Sequence, residues 1–538
     1  MSTPAPLTRR RFLADSARAG IVLAAPFAAP LRGPAIIASA SARPAVSHGL
    51  QVGDVLSDRA IVWSRADRES RLVVEWSRHE DFRDAAVVRG PHALDVDDFL
   101  GRVDLTGLPP GSDIFLRASF EALDASGARG EPAAGRFRTA PEAPRDVRFV
   151  WSADTAGQGW GINLEAGGMT AYEAMRRVDP DFFVHCGDTI YADNPMRDEV
   201  PLAGGTVWRN AFLDEEPAKR KAAETLDEFR ACYRYNLLDA NVRRFNAEVP
   251  QVWLWDDHEV FNNWSHASSL DADPRFTEKR VRALAARGTR AFLEYAPMRW
   301  HTQDDAGRIY RRIPYGPDLD VFVLDMRSHR APNSFNRQPA PGPETALLGA
   351  AQLAWLKEGL RASRATWKVI AAGMPIGLVV GDGRDAEGRE RFENMANGDG
   401  PPLGRELECA DLLRFIREQG IGNVVWITGD VHYCAAHYYD PAEAQFRDFE
   451  PFWEFVAGPL HAGTFGPNRL DDTFGPRVVF AKPPPEGQVN LPPTAGLQFF
   501  GQVDVEHRTK DMVVSLKDLK GDALFVQRLQ AAERRPRR

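Results

Sequence analysis

The sequence predicts an α/β protein, in which a small all-β module precedes a large domain of strands alternating with helices. Residues 45–142 contain short β-rich runs separated by turn signals. Residues 146–530 alternate near-continuous apolar strands with helical stretches, and polar residues cluster where those strands end. A chain of 538 residues is long enough for two such domains.

The first 42 residues differ from the rest of the chain. Arg9, Arg10 and Arg11 precede a Phe-Leu pair, an uncharged stretch over 20–31 and small-residue patterns over 38–42. This order resembles a twin-arginine export signal that a signal peptidase removes. A disordered amino-terminal tail is the alternative. The resemblance implies the twin-arginine translocase as a partner and a periplasmic or secreted bacterial protein.

The same leader is a poor membrane anchor. Its apolar run is shorter than the roughly 20 residues that a bilayer requires, and Pro26 and Pro30 interrupt it. We therefore expect no stable membrane anchor.

Composition and charge exclude several classes of protein. With 43% apolar and 26% charged residues, the chain is neither wholly disordered nor fibrous nor a polytopic membrane protein. Removing the leader, with its five arginines and one aspartate, would change the formal charge from −8 to −12. No global basic field is available, so we expect no specific nucleic-acid binding. Four cysteines are too few for a disulfide scaffold.

The all-β module is predicted from three runs, over 60–63, 72–76 and 114–118. Residues 107–112 read Gly-Leu-Pro-Pro-Gly-Ser, which resembles a turn of fibronectin type III modules. We interpret the module as a spacer or packing unit without a catalytic role.

The large domain is predicted from alternation along the chain. Strands are expected over 148–151, 181–186, 252–255, 321–324, 367–370 and 424–427, and helices over 170–178, 350–361 and 407–419. Two further strands, over 512–516 and 523–526, are expected to close a sheet. Alternation of this kind predicts a sheet with helices on both faces. The polar stretches 194–227 and 381–404 are expected to be loops over one rim.

Polar residues follow five of these strands, at the edge where open α/β sheets bind ligands. A single Gly-Asp after a strand is usually a turn, but five clusters in chain order indicate one site. The residues are Asp154; Asp188 and Tyr191; Asp256, Asp257, His258, Asn262 and Asn263; Asp325, Arg327 and Arg330; and Asp430 and His432.

The residue types indicate a metal centre. Four converging carboxylates, those of Asp154, Asp188, Asp257 and Asp430, would repel one another unless cations neutralised them. Oxygen ligands favour Ca²⁺, Mg²⁺, Mn²⁺ or Fe³⁺, and a zinc site built only from Cys and His is disfavoured. Tyr191 would supply a phenolate ligand for ferric iron or, alternatively, hydrogen-bond a carboxylate.

The order Asp…GDxxY…DHE…GDxH resembles the calcineurin-like metallophosphatase superfamily. Residues 255–263, Trp-Asp-Asp-His-Glu-Val-Phe-Asn-Asn, resemble the WDDHExxNN signature of the alkaline phosphatase D family. The resemblance spans roughly residues 45–530. It implies a sandwich of mixed β-sheets flanked by helices, preceded by a fibronectin-III-like domain.

The resemblance also implies a ferric ion with one or more calcium ions. Asp154, Asp188, Tyr191 and His432 would hold the iron, with Asp188 bridging, and Asp257 and Asp430 would face the divalent ion. The family commonly has a cysteine in the place of Asp154. This departure weakens the case for iron and leaves Mn²⁺, Mg²⁺ and Zn²⁺ open.

The function expected from these residues is hydrolysis of small phosphate esters by a metal-bound hydroxide, without a phosphoenzyme. His258 would protonate the leaving oxygen or act as a hydrogen-bonding partner. Arg327 would bind the phosphate or form a structural ion pair. Asn262 and Asn263 would position the metal loop or bind substrate.

Two other functions stay open at this point. The same site would also suit diesters, with a phosphodiesterase or phospholipase D-type activity. A non-catalytic surface-binding protein is the second. His185, Cys186 and Cys434 are interpreted as core residues, because each lies beside or within an apolar strand.

Overall fold

The structure is a computed structural model that describes residues 43–124, 126–301, 305 and 307–532. The predicted export signal lies outside the described residues. Within the described ranges, no helix is both long and apolar enough to cross a membrane.

The amino-terminal part of the described chain is all-β, as predicted. Its strands are β1 (Val46–Gly53), β2 (Arg59–Ala66), β3 (Ser70–Ser77), β4 (Ala86–Ala93), β5 (Leu100–Thr106), β6 (Asp113–Ala122) and β7 (Ala133–Arg138).

The following part mixes strands and helices. In chain order they are β8 (Val147–Ser152), α1 (Thr170–Arg176), β9 (Phe182–Cys186), β10 (Glu199–Pro201), β11 (Val207–Arg209), α2 (Leu226–Asn236), α3 (Ala240–Glu248), β12 (Gln251–Leu254), α4 (Val281–Tyr295), β13 (Arg311–Pro314), β14 (Leu319–Val323), α5 (Gly349–Ala362), β15 (Trp367–Ala371), β16 (Gly381–Arg384), β17 (Glu390–Phe392), α6 (Glu406–Glu418), β18 (Val424–Thr428), β19 (Cys434–Tyr439), β20 (Phe452–Val456), β21 (Pro476–Lys482), β22 (Phe499–Val505), β23 (Met512–Asp518) and β24 (Ala523–Leu529). Short 3₁₀ turns occur at Asp95–Asp97, Ala203–Gly205, Pro217–Arg220, Pro343–Thr345 and Pro493–Ala495.

Two large sheets face each other. The first has the strand order β24-β23-β22-β8-β9-β12-β1-β2-β5, and the second has the order β13-β14-β15-β18-β20-β19-β21. Strands β8, β9 and β12 run parallel in the first sheet, and β14, β15, β18 and β20 run parallel in the second. Alternation alone predicts one sheet covered by helices on both faces. The chain instead divides its strands between two sheets, as the family resemblance implies.

The side chains explain this layering. On β8, Phe149 faces the second sheet, where it joins a core with Val321 and Val369. Its neighbour Val150 faces the helices of the first sheet. Because neighbouring residues of a strand point to opposite faces, each sheet has one apolar face toward the other sheet and one toward helices. The layers are therefore helix, sheet, sheet, helix, and the fold class is confirmed.

The amino-terminal module shares a sheet with the body of the protein. Strands β1, β2 and β5 extend the first sheet, and β1 pairs with β12 in parallel at Gly53 and Gln251. Strands β4, β3, β6 and β7 form a separate four-stranded sheet, which packs on β1, β2 and β5 through a shared apolar core. The predicted boundary near residue 142 stays a prediction.

The two polar stretches expected to be loops contain short hairpins. Strands β10 and β11 pair within the first, and β16 and β17 pair within the second. Each of these strands has only three or four residues. So short a segment does not show an alternation of apolar and polar residues from which a strand could be predicted.

Helix α2 contacts the loop that follows β9, which carries Asp188 and Tyr191. Helix α2 begins with a capping box, in which the Thr225 side chain accepts from the Glu228 N–H and the Glu228 carboxylate accepts from the Thr225 N–H. At its end, Asn236 donates to the carbonyl oxygen of Thr189 at 2.9 Å. This contact holds the loop that follows β9.

Candidate metal centre

The carboxyl ends of β8, β9, β12 and β18 meet at one edge of the two sheets. Asp154, Asp188, Asp257 and Asp430 follow these strands, so the structure brings together the four acids that the sequence predicts as ligands. Asp154, Asp188 and Asp430 all have positive φ, from 53° to 69°. Backbone conformations of this kind are sparsely populated and concentrate at functional sites.

Glycines before two of the acids are required by close packing. A Cβ at Gly187 would lie 2.5 Å from Cβ of Asp256, and one at Gly429 would lie 2.3 Å from Cβ of Ala153. The Gly-Asp pairs after β9 and β18 are therefore places where neighbouring strand ends touch, rather than ordinary surface turns.

Three overlapping groups of possible ligands lie at this edge. In each group, one ligand atom from each residue lies within 4.8 Å of the others. Asp188 belongs to two groups and Asp257 to two, so both are placed to bridge neighbouring cations. The groups are Asp154, Asp188 and His432; Asp188, Asp257 and His258; and Asp256, Asp257 and Asp430.

Tyr191 lies beside the first group. Its hydroxyl is 2.8 Å from Nε2 of His432, and that nitrogen is 3.7 Å from Oδ1 of Asp154. The other ring nitrogen of His432 lies 2.5 Å from the carbonyl oxygen of Gly463, which can only accept a hydrogen bond. Nδ1 of His432 therefore carries the proton, and Nε2 is left with a lone pair toward the group.

Unpaired oxygens show that cations fit this donor set. Both carboxylate oxygens of Asp154, Oδ2 of Asp256 and Oδ1 of Asp257 are buried and have no hydrogen-bond partner among the described residues. A buried carboxylate oxygen without a partner is costly. A hard cation would supply the missing partner.

The pKa values of three of these acids are raised by burial and by the neighbouring carboxylates. Burial raises the pKa of Asp154 well above its usual range, and the charge of Asp256 raises it further. Burial and the charge of Asp257 raise the pKa of Asp188 well above its usual range. Burial and the charge of Asp256 raise the pKa of Asp430 in the same way. Cations at the centre would counteract all three shifts, because they favour the charged carboxylates.

His258 is paired with an acid that the sequence analysis did not single out. Its Nδ1 lies 2.6 Å from Oδ1 of Asp193, and its Nε2 lies 3.9 Å from Oδ1 of Asp257. Burial alone would lower the pKa of His258, but Asp193 and Asp257 raise it to about 9. Asp193 and Asp257 therefore favour the protonated imidazole, from which Nε2 can donate a proton. The signal in the sequence was an aspartate two residues after Tyr191.

Asn263 fixes one of the bridging acids. Its backbone N–H donates to Oδ2 of Asp257 at 2.5 Å. Burial would raise the pKa of Asp257, but His258, Arg327 and this N–H lower it to about 2. The neighbouring Asn262 donates its N–H to Oδ2 of Asp193 at 3.2 Å, and its side chain is exposed. Asn263 thus fixes one oxygen of Asp257, while the Asn262 side chain is open to solvent.

Phosphate binding was one of two roles predicted for Arg327, but its side chain lies buried in ion pairs. Its side chain is 0% exposed; Nε donates to Asp256 at 2.5 Å, and a second nitrogen pairs with Glu393. Arg330 pairs with the same Glu393 at 2.9 Å. These contacts favour the structural ion pair over phosphate binding, because Arg327 is buried against acids.

Other predicted residues are structural. Asp325 accepts from the Trp255 indole at 2.8 Å and from backbone groups, and it does not join the ligand groups. His185 is a core residue, as predicted: it is 2% exposed and its Nε2 lies 2.9 Å from the Thr155 hydroxyl. Cys186 and Cys434 are buried and free, as expected for small core residues.

The family model for the PhoD-like phosphatase matches residues 149–516, and a model for the amino-terminal domain of PhoD-like phosphatases matches residues 32–141. The chain belongs to the PhoD-like phosphatase family. As a member of it, the protein is a metal-dependent phosphoesterase, that is, a phosphoric ester hydrolase.

One curated relative and two solved structures are similar to this chain. Alkaline phosphatase D of Bacillus subtilis (strain 168) is 27% identical over 448 residues, which are 79% of this chain and 71% of the relative. A solved structure of PhoD matches with a TM-score of 0.64 at 20% identity, over 91% of this chain and 93% of that one. The purple acid phosphatase PPD1 from yellow lupin (Lupinus luteus) seeds shares the fold, with a TM-score of 0.52 at 12% identity, over 91% and 74% of the two chains.

One possible ligand, Asp256, was not predicted as such from the sequence. Asp256 belongs to the third ligand group, and its Oδ2 is unpaired while its Oδ1 bonds Arg327. The sequence placed Asp256 at a strand end but gave no reason to prefer it over its neighbour Asp257.

Proposed function

We propose that this chain is an exported enzyme of the alkaline phosphatase D type, which hydrolyses small phosphate esters at a centre of two or more cations. The observation that supports this most strongly is the set of three overlapping ligand groups with unpaired buried oxygens. Neither carboxylate oxygen of Asp154 has a hydrogen-bond partner among the described residues, whereas Glu393, in the ion pairs with Arg327 and Arg330, keeps one oxygen bonded.

The donor sets suggest which residues hold which cation. Asp154, Asp188, Tyr191 and His432 would hold a trivalent ion, ferric iron, because carboxylate and phenolate oxygens are hard ligands. Asp257 and Asp430, with Asp256, would hold divalent ions, for which calcium suits an all-oxygen set. Asp188 would bridge. Bound cations would polarise the phosphoryl group and lower the pKa of a coordinated water.

His258 would act as the proton donor to the leaving oxygen. Asp193 holds Nδ1, so Nε2 is the nitrogen that faces the centre. A charged imidazole in this position also counters negative charge that develops as the ester bond breaks. Asn262, with its exposed side chain beside this pair, would hydrogen-bond the substrate.

The substrate class is tested by comparing esters with one and two organic groups. We propose phosphate monoesters as the main substrates. Turnover of a nitrophenyl phosphate and of the matching bis-nitrophenyl phosphate, measured side by side on the purified enzyme, distinguishes the two classes. A larger kcat/KM for the diester would replace the phosphatase assignment with a phosphodiesterase of the phospholipase D kind at the same site.

Iron is tested by colour. If Tyr191 binds ferric iron, the protein should absorb visible light, and Tyr191→Phe should lose that band while keeping its divalent ions. A colourless, active wild-type enzyme that contains divalent ions but no iron would contradict the ferric assignment.

Export is tested on the leader. We propose that residues 1–42 direct the folded protein to the twin-arginine translocase and place it in the periplasm or outside the cell. Replacement of Arg9, Arg10 and Arg11 by lysine should retain the enzyme in the cytoplasm of a bacterial host, as measured by fractionation. Unchanged export would contradict this part of the proposal without affecting the site.

A further inference from the structure

An acid on the rim hairpin β16–β17 contacts the loop that follows β12. Oδ1 of Asp382 accepts from the side-chain amide of Asn263 at 3.2 Å, and Oδ2 accepts from the side-chain amide of Asn333 at 3.0 Å. The same amide of Asn333 donates to the carbonyl oxygen of Asn263 at 2.9 Å. Asn263 is therefore held at both its side chain and its backbone carbonyl.

Asn263 in turn contacts the carboxylate of Asp257 through its backbone N–H. Its backbone is left-handed, with φ of 58°, and its N–H donates to Oδ2 of Asp257 at 2.5 Å. With Oδ2 occupied, Oδ1 of Asp257 is the oxygen without a partner among the described residues. A rotation of Asn263 would release Oδ2 and turn the carboxylate that two ligand groups share.

The hairpin does not need Asp382 as its anchor. The N–H of Phe392 donates to the carbonyl oxygen of Ser334 at 2.9 Å, and that of Glu393 donates to Val380 at 2.9 Å. Arg391 fixes Asp382 from within the hairpin, because its Nε donates to the Asp382 carbonyl oxygen at 2.9 Å. The Asp382 carboxylate also lies 3.6 Å from Nη2 of Arg391, and it accepts hydrogen bonds from the two asparagines outside the hairpin.

We propose that Asp382 is a positioning residue for the divalent part of the metal centre, acting through Asn263 on the carboxylate of Asp257. This inference rests on the proposed function, since it takes Asp257 as a ligand of a divalent cation. It also gives the rim stretch 381–404 a role beyond that of a loop over the site. Partners of metal ligands of this kind commonly change metal affinity or activity 10–100-fold when they are removed.

The first test is retention of the divalent ion by the metal-loaded enzyme. Wild type, Asp382→Ala and Asp385→Ala are dialysed against increasing concentrations of a chelator, and the bound metals are counted by elemental analysis. Asp385 is the matched control, because its carboxylate accepts only from Glu387 and Arg389 within the same hairpin.

We expect Asp382→Ala to lose half of its divalent ion at about tenfold less chelator than wild type. Asp385→Ala should match wild type. The activity that Asp382→Ala loses should return at high concentration of the divalent ion, with kcat close to that of wild type. Asp382→Asn keeps one acceptor oxygen and should be intermediate, which provides a milder variant should the alanine protein fold poorly.

The second test asks whether the effect passes through Asn263. Asn263→Gly keeps the backbone N–H and tolerates positive φ, but removes the side-chain amide. In that background, Asp382→Ala should shift metal retention clearly less than it does in wild type. A full tenfold shift would show that Asp382 acts by another route and would overturn the proposal.

The outcomes separate the inference from the function on which it rests. Equal metal retention by wild type, Asp382→Ala and Asp385→Ala would overturn the positioning role and leave the metal centre intact. A wild-type protein that held no divalent cation would overturn both. Equal losses in Asp382→Ala and Asp385→Ala would show only that the hairpin must be intact, and would also overturn a specific role of Asp382.

Discussion

At the residue level, buried arginines pair with buried acids around the centre. Arg327 pairs with Asp256 and Glu393, and Arg330 shares Glu393. Removing one member of a buried ion pair leaves the other uncompensated, which is more costly than losing a surface pair. The arginines therefore belong to the structure that supports the ligands, and the cations complete the balance.

This argument predicts the effect of Arg327→Met. The free energy of unfolding should fall by about 3–5 kcal/mol, because Asp256 and Glu393 lose their counter-charge. Urea titration of the metal-loaded protein measures the change. As a control, Arg209→Met removes an exposed arginine that pairs with Glu165 and Glu199, and should cost no more than ~1 kcal/mol. Unchanged stability with a raised KM for Arg327→Met would restore the phosphate-binding role.

His258 should matter most where the leaving group is poor. His258→Ala removes the proposed proton donor, and kcat for an alkyl phosphate should fall about 10²–10⁴-fold. For a nitrophenyl phosphate the loss should be smaller, since a nitrophenolate leaves without protonation. Steady-state kinetics on both substrates measure the difference. An equal loss on both would argue for a positioning role of His258 instead.

His185 gives a pH dependence of stability. Burial lowers its pKa from 6.5 to about 3. The unfolded chain therefore binds a proton below about pH 6.5 that the folded chain does not bind until about pH 3, so stability falls as the pH drops through that window. The contribution of one such histidine is at most ~1.4 kcal/mol per pH unit.

The variant His185→Gln should flatten this dependence. Between pH 6.5 and pH 4.5, wild type should lose more free energy of unfolding than His185→Gln, as measured by urea titration at each pH. Parallel curves for the two proteins would show that His185 does not supply the effect.

At the scale of elements, the ends of the strands carry the chemistry and the glycines allow them to meet. Strands β8, β9 and β12 run side by side in one sheet, and β18 comes from the other. The acids after them can converge only if the strand ends approach within van der Waals distance. Gly187, with φ of 96° and Asp256 against it, is one such point.

Gly187→Ala should therefore damage both fold and site. We expect a loss of ~1–3 kcal/mol from the strained backbone and a similar loss from the clash with Asp256. Gly204 is the matched control: its φ is 83°, but a Cβ there would meet nothing within 4 Å, so Gly204→Ala should show the backbone cost alone. Thermal unfolding of both variants measures the difference. Equal shifts would contradict the role of close packing at Gly187.

Much of this arrangement is predictable from the sequence, for identifiable reasons. Apolar runs such as 181–186 and 424–427 are long enough to mark strands, and acids directly after them mark the ligand edge. Asp193 and Asp382 were not predicted as partners of the site, because each acts through contacts that only folding creates. The division into two sheets was implied by family resemblance and not by alternation, since β8 and β15 have similar apolar patterns whichever sheet they join.

For the molecule as a whole, the layered sandwich supports the centre. Apolar cores lie between the two sheets and between each sheet and its helices, and the ligand acids follow strands that these cores hold. In the absence of cations, burial and then the neighbouring carboxylates raise the pKa of Asp154, Asp188 and Asp430. Bound metal should therefore stabilise the folded protein as well as serve catalysis.

Removal of the metal ions tests whether they stabilise the folded protein. Exhaustive chelation should lower the melting temperature and abolish hydrolysis, and re-addition of the ions found in the native protein should restore both. A chelated protein that kept its melting temperature would show that the buried acids do not depend on cations for their stability.

The most direct test of the central claim is elemental analysis of the purified enzyme together with its turnover of a phosphate monoester, for wild type and Asp188→Asn. Asp188 belongs to two of the ligand groups. We therefore expect at least two metal ions per chain in wild type, and loss of both metal and activity in Asp188→Asn. A wild-type enzyme active without metal, or an Asp188→Asn protein with full activity, would contradict it.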